Sequence, residues 1–255
     1  HKRWRALLSL SFLLQITLVF FSVIFLNLEI FTSKLIFFDY LLKNSLFNIF
    51  FTSFCLLILI NGSNFIDGLN GLLLTYMTFI IFILFKLGLL NELLINYDFI
   101  NYLIFFIIII ILLNLCNYLM LGDAGAYSLS FFVGYLIIKC HISNPNISPY
   151  FFITLLWYPC YENLFSIIRK FKTKLSPLIP DNNHLHQLIY IRFKKKIIKN
   201  QLIANNVTSL LISFVNFIII LISSMNPYSS VYQIKLIIFS IILYSFTFII
   251  IKKRL

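Results

Sequence analysis

Apolar residues dominate this chain in long runs broken by short polar stretches. The runs are too long and too continuous for strands, which would alternate apolar and polar residues in short pieces. Read as helices, they predict eight segments, at about 6–28, 45–60, 71–90, 99–121, 127–141, 150–170, 205–224 and 231–251. Crossing roughly 30 Å of hydrocarbon takes about 20 helical residues, so the second and fifth are short for a full span. The expected fold is all-α, a polytopic transmembrane helical bundle of about eight spans. No repeat, Ser/Gly linker or change of composition divides it, so residues 1–255 are taken as one membrane-embedded domain, with a cytoplasmic basic loop at 171–200.

Composition supports that fold. The chain is 61% hydrophobic and only 11% charged, with a mean hydropathy of +0.97, more apolar surface than a soluble fold of this length can hide. The net charge of +12 would point to nucleic acid in a soluble protein. Here the basic residues fall between apolar runs, where they set orientation, and no nucleic-acid partner is expected. Lys2, Arg3 and Arg5, the stretch from Arg169 to Lys199, and Lys252 to Arg254 all fall on one side when crossings are counted from the N-terminus. The positive-inside rule makes that side cytoplasmic. The four cysteines have no paired metal spacing and read as small buried hydrophobes. The chain starts at His1 rather than Met and is read as lacking an N-terminal portion. Residues 6–28 are too long for the apolar core of a signal peptide and are read as a true span.

The same crossing count brings three distant polar stretches to the cytoplasmic face: "NGSNFIDGLNG" (61–71), "LGDAGAY" (121–127) and "PDNNHLHQ" (180–187). Of eight acidic residues, Asp67, Asp123, Glu162 and Asp181 lie on that side. An ionised side chain costs about 2.5–3.5 kcal/mol at mid-membrane, so acids at helix mouths are candidates for function. In the first stretch Asn61, Asn64 and Asp67 recur every third residue. At the start of the third helix they would present oxygens on one side, ligands suited to Mg²⁺ with a phosphorylated substrate. The same residues also suit a turn that caps the next helix, and Asp123 reads equally as a cap for the fifth. His184 and His186 lack the further ligands of a usual zinc site and better suit phosphate contact or proton handling. Pro159 should kink the sixth helix. Glu162 and Arg169, seven apart, share a face of it; Arg169 can clamp a phosphate, while Glu162 reads equally as a structural charge paired with a neighbour.

In order along the chain, Asn61-x-x-Asn64-x-x-Asp67-Gly-x-x-Gly71, Gly122-Asp123-Ala-Gly125, Pro159 with Glu162 and Arg169, and Asp181-x-x-His184-x-His186 resemble the polyprenyl-phosphate N-acetylhexosamine-1-phosphate transferase family. The resemblance runs from residue 1 to about 193. It implies transfer of a sugar-1-phosphate from a UDP-N-acetylhexosamine to polyprenyl phosphate, with UMP released, in the bacterial inner membrane and with the active site facing the cytoplasm. It implies Mg²⁺, with Mn²⁺ as the alternative, membrane lipid as surroundings, and leaves a homodimer open. Carried over by position, Asp67, Asp123, His184 and His186 would be catalytic; Asn64 and Asp123 would hold the metal; Asn61, Asn70, Arg169 and Asp181 would bind substrate. Asn70 stands where the family often has aspartate, and Gln187 where many relatives have a third histidine. An Asp-Asp pair expected before the first span is absent, so this stretch alone is expected to be inactive or badly impaired. Two other classes fit parts of the pattern: a secondary transporter and a non-catalytic membrane subunit.

Overall fold

The computed structural model describes residues 2–91, 97–172 and 183–253. They form eleven helices: α1 (Lys2–Phe25), α2 (Ile36–Leu42), α3 (Ser45–Ile66), α4 (Leu72–Lys86), α5 (Tyr97–Leu115), α6 (Gly122–Ser143), α7 (Pro149–Leu155), α8 (Trp157–Lys172), α9 (Leu185–Lys196), α10 (Gln201–Ser224) and α11 (Ser230–Lys253). Side-chain caps start several of them. Asn44 Oδ1 accepts from Phe47 N at 3.1 Å ahead of α3, Ser148 accepts from Tyr150 N ahead of α7, and Asn200 accepts from Leu202 N and Ile203 N ahead of α10.

Five helices are long and apolar enough to cross a membrane: α3, α5 (from Asp98), α6, α10 and α11. The pair α7–α8 makes a sixth if its 75° bend is one broken span, while α4 and the segment Phe12–Phe25 of α1 are apolar but shorter. The expected eight spans are thus five or six by length among the described residues. Helix α4 shows why length alone misleads. Leu72, Leu73, Tyr76, Met77, Ile80, Ile81, Ile83 and Leu84 are all fully buried, so α4 is a post wrapped by other helices. Phe21, Phe105, Phe106, Phe239 and Phe246 point outward from α1, α5 and α11, as a lipid-facing surface requires.

The elements differ from expectation in several places, while the kink expected at Pro159 is present as the bend between α7 and α8. The stretch 61–71 does not open α4. Its first half continues α3 to Ile66, because packing there outweighs the turn preference of Asn and Gly. The sixth expected helix is broken at Leu156, three residues before Pro159. The basic loop contains α9, and α2 was not anticipated. Of the cysteines, all free, only Cys140 is buried, and Cys116 is exposed.

The break before Pro159 has a chemical completion. Proline has no N–H, so the carbonyl four residues earlier, Leu155 O, loses its helical donor. Tyr76 on α4 supplies one instead, its hydroxyl donating to Leu155 O at 2.7 Å and accepting from Tyr158 N at 3.4 Å. Tyr76→Phe should therefore leave a buried carbonyl unsatisfied and cost about 1–3 kcal/mol. A lowered melting temperature in detergent is the expected reading, and an unchanged one would remove this hydroxyl from the account of the bend.

Candidate active site

The last turns of α3 meet the first turns of α6. Asn64 Nδ2 donates to Tyr127 Oη at 3.3 Å, and Tyr127 lies one helical turn beyond Asp123. That hydrogen bond leaves Asn64 Oδ1 available as a ligand atom. Asn61 donates its Nδ2 to Leu57 O, one turn back on its own helix, at 2.8 Å. Asp67 is the C-terminal cap residue of α3 and half-buried. Asp123 is exposed in the first turn of α6, where Leu121 is the cap residue. Asp123 is therefore not the cap that its spacing allowed, although the helix dipole favours its charge there.

Asp67 senses the charge of Asp123. Burial, and after it the charge of Asp123, pushes the Asp67 carboxyl up to about 7. Among the described residues neither carboxylate has a basic partner, and no group of three His, Cys, Asp or Glu side chains forms a metal cage. Two carboxylates and an amide oxygen are instead the donor set of a Mg²⁺ ion that keeps waters and shares a substrate phosphate. The residues present fit such an ion.

The turn after Asp67 is held from two sides, by α5 and α10. Gly71 adopts φ +75°, the left-handed conformation that glycine takes without strain. Its N–H donates to Asn114 Oδ1, and Asn114 Nδ2 donates to Leu119 O at 2.7 Å. Asn70 N donates to Asn205 Oδ1 on α10 at 2.8 Å. Neither Asn114 nor Asn205 belongs to the polar stretches that the sequence marks; an amide inside or at the start of an apolar helix is the available signal.

The third polar stretch closes on the other flank. A Cβ placed on Gly68 would stand 3.1 Å from His186 Nε2, so the glycine lets the start of α9 lie directly against the turn beyond Asp67. His186 is fully buried, and burial lowers its imidazole to about 4, leaving it neutral near pH 7. Neither ring nitrogen has a hydrogen-bond partner among the described residues. In this state His186 is wall rather than an open acid or base. His184 lies with its ring 4.8 Å from that of Phe65, and its Nδ1 donates to Glu162 Oε1 at 2.9 Å. Arg169 is folded into the wall, donating to Asn183 O and, at 3.2 Å, to Ser166 Oγ. Asp181 lies outside the described residues.

Asn64, Asp67, Asp123, His184 and His186 thus gather at one end of the bundle around the last turn of α3. An apolar cavity of about 340 Å³ lies at the far ends of α3 and α6, lined by Phe38, Leu56, Ile137 and Phe152 and without an acidic group. It is remote from this chemistry.

The family model described as Glycosyl transferase family 4 matches residues 3–141. No curated protein and no solved structure matches the chain. The matched stretch is more than half of the 255 residues and carries Asn64, Asp67, Asp123 and Tyr127. With the joined ends of α3 and α6 inside it, the chain belongs to glycosyl transferase family 4 and is, in general terms, a multi-pass polyprenyl-phosphate sugar-phosphate transferase.

Proposed function

We propose that the enzyme to which this chain belongs transfers N-acetylhexosamine-1-phosphate from a UDP-sugar to polyprenyl phosphate and releases UMP. The observation that carries the reading is the meeting of Asn64 and Asp67 with the Asp123 end of α6, through the Asn64–Tyr127 hydrogen bond and the effect of the Asp123 charge on Asp67. Phosphoryl transfer needs little covalent help from protein, mainly positioning and neutralisation of charge. Asn64, Asp67 and Asp123 would hold a Mg²⁺ or Mn²⁺ ion, which supplies neutralisation of the diphosphate when bound. Asn61 on α3 and Asn70 in the turn that follows it would contact the donor. Arg169 and His184 line the opposite flank, each already hydrogen-bonded within the protein.

The acceptor side of the reading is supported by α8. Its Leu164, Ile168 and Phe171 are exposed in one stripe, while Glu162, Ser166 and Lys170 are buried. A polyprenyl chain in the bilayer would lie along that stripe with its phosphate at the mouth. Lys172, Lys194, Lys195, Lys196 and Lys252 are exposed near this end of the bundle, which under the positive-inside rule supports a site facing the cytoplasm of a bacterial inner membrane.

The reading is tested on the intact protein reconstituted with a UDP-N-acetylhexosamine and polyprenyl phosphate. UMP release that requires both substrates and a divalent cation is the expected result. Release that ignores the polyprenyl phosphate, or its complete absence, would overturn the reading.

A further inference from the structure

The apolar cavity at the far ends of α3 and α6 serves no step of the proposed transfer. Its volume of about 340 Å³ is roughly twice that of the ~150 Å³ apolar cavity that stays dry and takes up benzene. Buried Leu56, Leu59 and Ile137 form its floor, half-buried Phe38 and Phe51 its walls, and Leu35 and Ile153, 55% and 50% exposed, its mouth. Phe51 and Leu59 lie eight residues apart on α3, about 12 Å along its axis. That is most of the depth of one leaflet, half of roughly 30 Å. The neighbours of the lining residues in sequence, Ile36, Phe37, Phe50 and Phe54, are all exposed, so the surface around the mouth is apolar and faces hydrocarbon.

Polar bonds build this cavity. One wall is the segment between α1 and α2, which contributes Ile30, Thr32, Ser33 and Leu35, and side chains from three helices stitch it in place. Asn48 on α3, 2% exposed, accepts from Ile30 N at 2.9 Å and donates to Ile30 O at 2.9 Å and Leu42 O at 3.0 Å. Asp39 on α2 accepts from Thr32 Oγ1 at 3.0 Å and from Ser33 N and Ser33 Oγ at 2.6 Å each. His141 on α6 donates from Nε2 to Thr32 O at 3.2 Å. Such a set of bonds fixes one geometry, and here that geometry keeps a void between the wall and α3.

Lys34 sits between two lining residues, Ser33 and Leu35, and is exposed. Its charge reaches His141, which also lines the cavity, while the Asp39 carboxylate is taken up by Thr32 and Ser33. The lysine adopts φ +59°, a left-handed backbone that glycine would take without strain. Strain kept at such a position points to a use for the side chain.

We propose that the cavity holds one acyl tail of an anionic phospholipid from the surrounding bilayer, with the lipid phosphate at Lys34. A tail that leaves hydrocarbon gains no hydrophobic free energy. It supplies dispersion contact to walls that otherwise face a void, and the lysine adds attraction for negative charge. The site is independent of the transfer reaction and rests only on the chain lying in a membrane.

The test uses the intact protein in lipid nanodiscs doped with phosphatidylglycerol or phosphatidylcholine carrying a photoreactive diazirine on one tail, with the labelled residues mapped by mass spectrometry. Label is expected on Leu59 and Ile137, 1% and 4% exposed, which a lipid outside the bundle cannot reach. Phosphatidylglycerol should label them about fivefold more than phosphatidylcholine, the effect of one lysine near the membrane surface, and Lys34→Gln should remove that preference. Cys55→Phe, which puts a ring into the cavity that Cys55 lines, should cut the label on Ile137 and leave that on the outward Phe50 and Phe54 unchanged. Label confined to outward residues such as Phe50 and Phe54 would overturn the proposal, an outcome that the wild type alone decides should Cys55→Phe fail to fold. Equal labelling by the two lipids would overturn the place given to Lys34. Displacement by excess polyprenyl phosphate but not by excess phosphatidylglycerol would make the occupant the acceptor's tail and overturn the phospholipid.

Discussion

Asp123→Asn is expected to reduce transfer about 100-fold or more, the loss typical when one charge-stabilising group is removed from a site that works by electrostatics. Asparagine keeps the shape of the side chain and removes the charge. Asp123 is exposed in the first turn of α6 and is not its cap residue, so folding should be nearly unaffected. The loss should appear in nucleotide release while the melting temperature stays close to that of the wild type. Relief of the like charge beside it should also let the Asp67 carboxyl fall from its raised value near 7. Full turnover in Asp123→Asn would leave the enzyme reading without its anionic site.

The largest effect on the fold is expected at Gly62. A Cβ built there would stand 2.0 Å from Pro159 O and 2.6 Å from Pro159 C. Both are backbone atoms and cannot rotate away, so α3 and α8 would have to move apart. Asn163, whose Nδ2 donates to Ile58 O at 3.0 Å, and Glu162 would move with them. Gly62→Ala should cost about 3 kcal/mol or more, at the upper end of overpacking effects. Loss of folded yield or a steep fall in melting temperature is the expected observation, together with loss of activity. A variant as stable as the wild type would mean that the two helices do not touch at this point.

Gly62 also explains where sequence reasoning reached and where it stopped. Asn61, Gly62 and Asn64 carry turn signals, and local chemistry alone breaks the helix near residue 60. The structure continues α3 for another turn and a half, because a side-chain-free position is what lets α8 dock there. Asn64 and Asp67 lie at the end of α3 rather than at the start of α4, and Asn61 turns its amide back to Leu57 O on the same helix. That Asp67 and Asp123 come together followed from counting crossings, which is robust because apolar runs are long. The partners of polar residues were beyond reach. Nothing local marks Asn114 as the acceptor for Gly71 N, Asn205 as the acceptor for Asn70 N, or Tyr244 as the donor to Glu162, since each pairing is decided by which helices lie side by side. The bend of α7–α8 was readable from Pro159. Its completion by Tyr76, more than eighty residues away in sequence, was not.

The account rests on oxygen ligands from α3 and α6 sharing one divalent ion. Mn²⁺ binding, followed by electron paramagnetic resonance on the reconstituted protein with the nucleotide sugar present, tests this most directly. One bound ion in the wild type, lost in both Asp67→Asn and Asp123→Asn and weakened in Asn64→Ala, is the predicted result. An ion held equally well after both carboxylates are neutralised would contradict it.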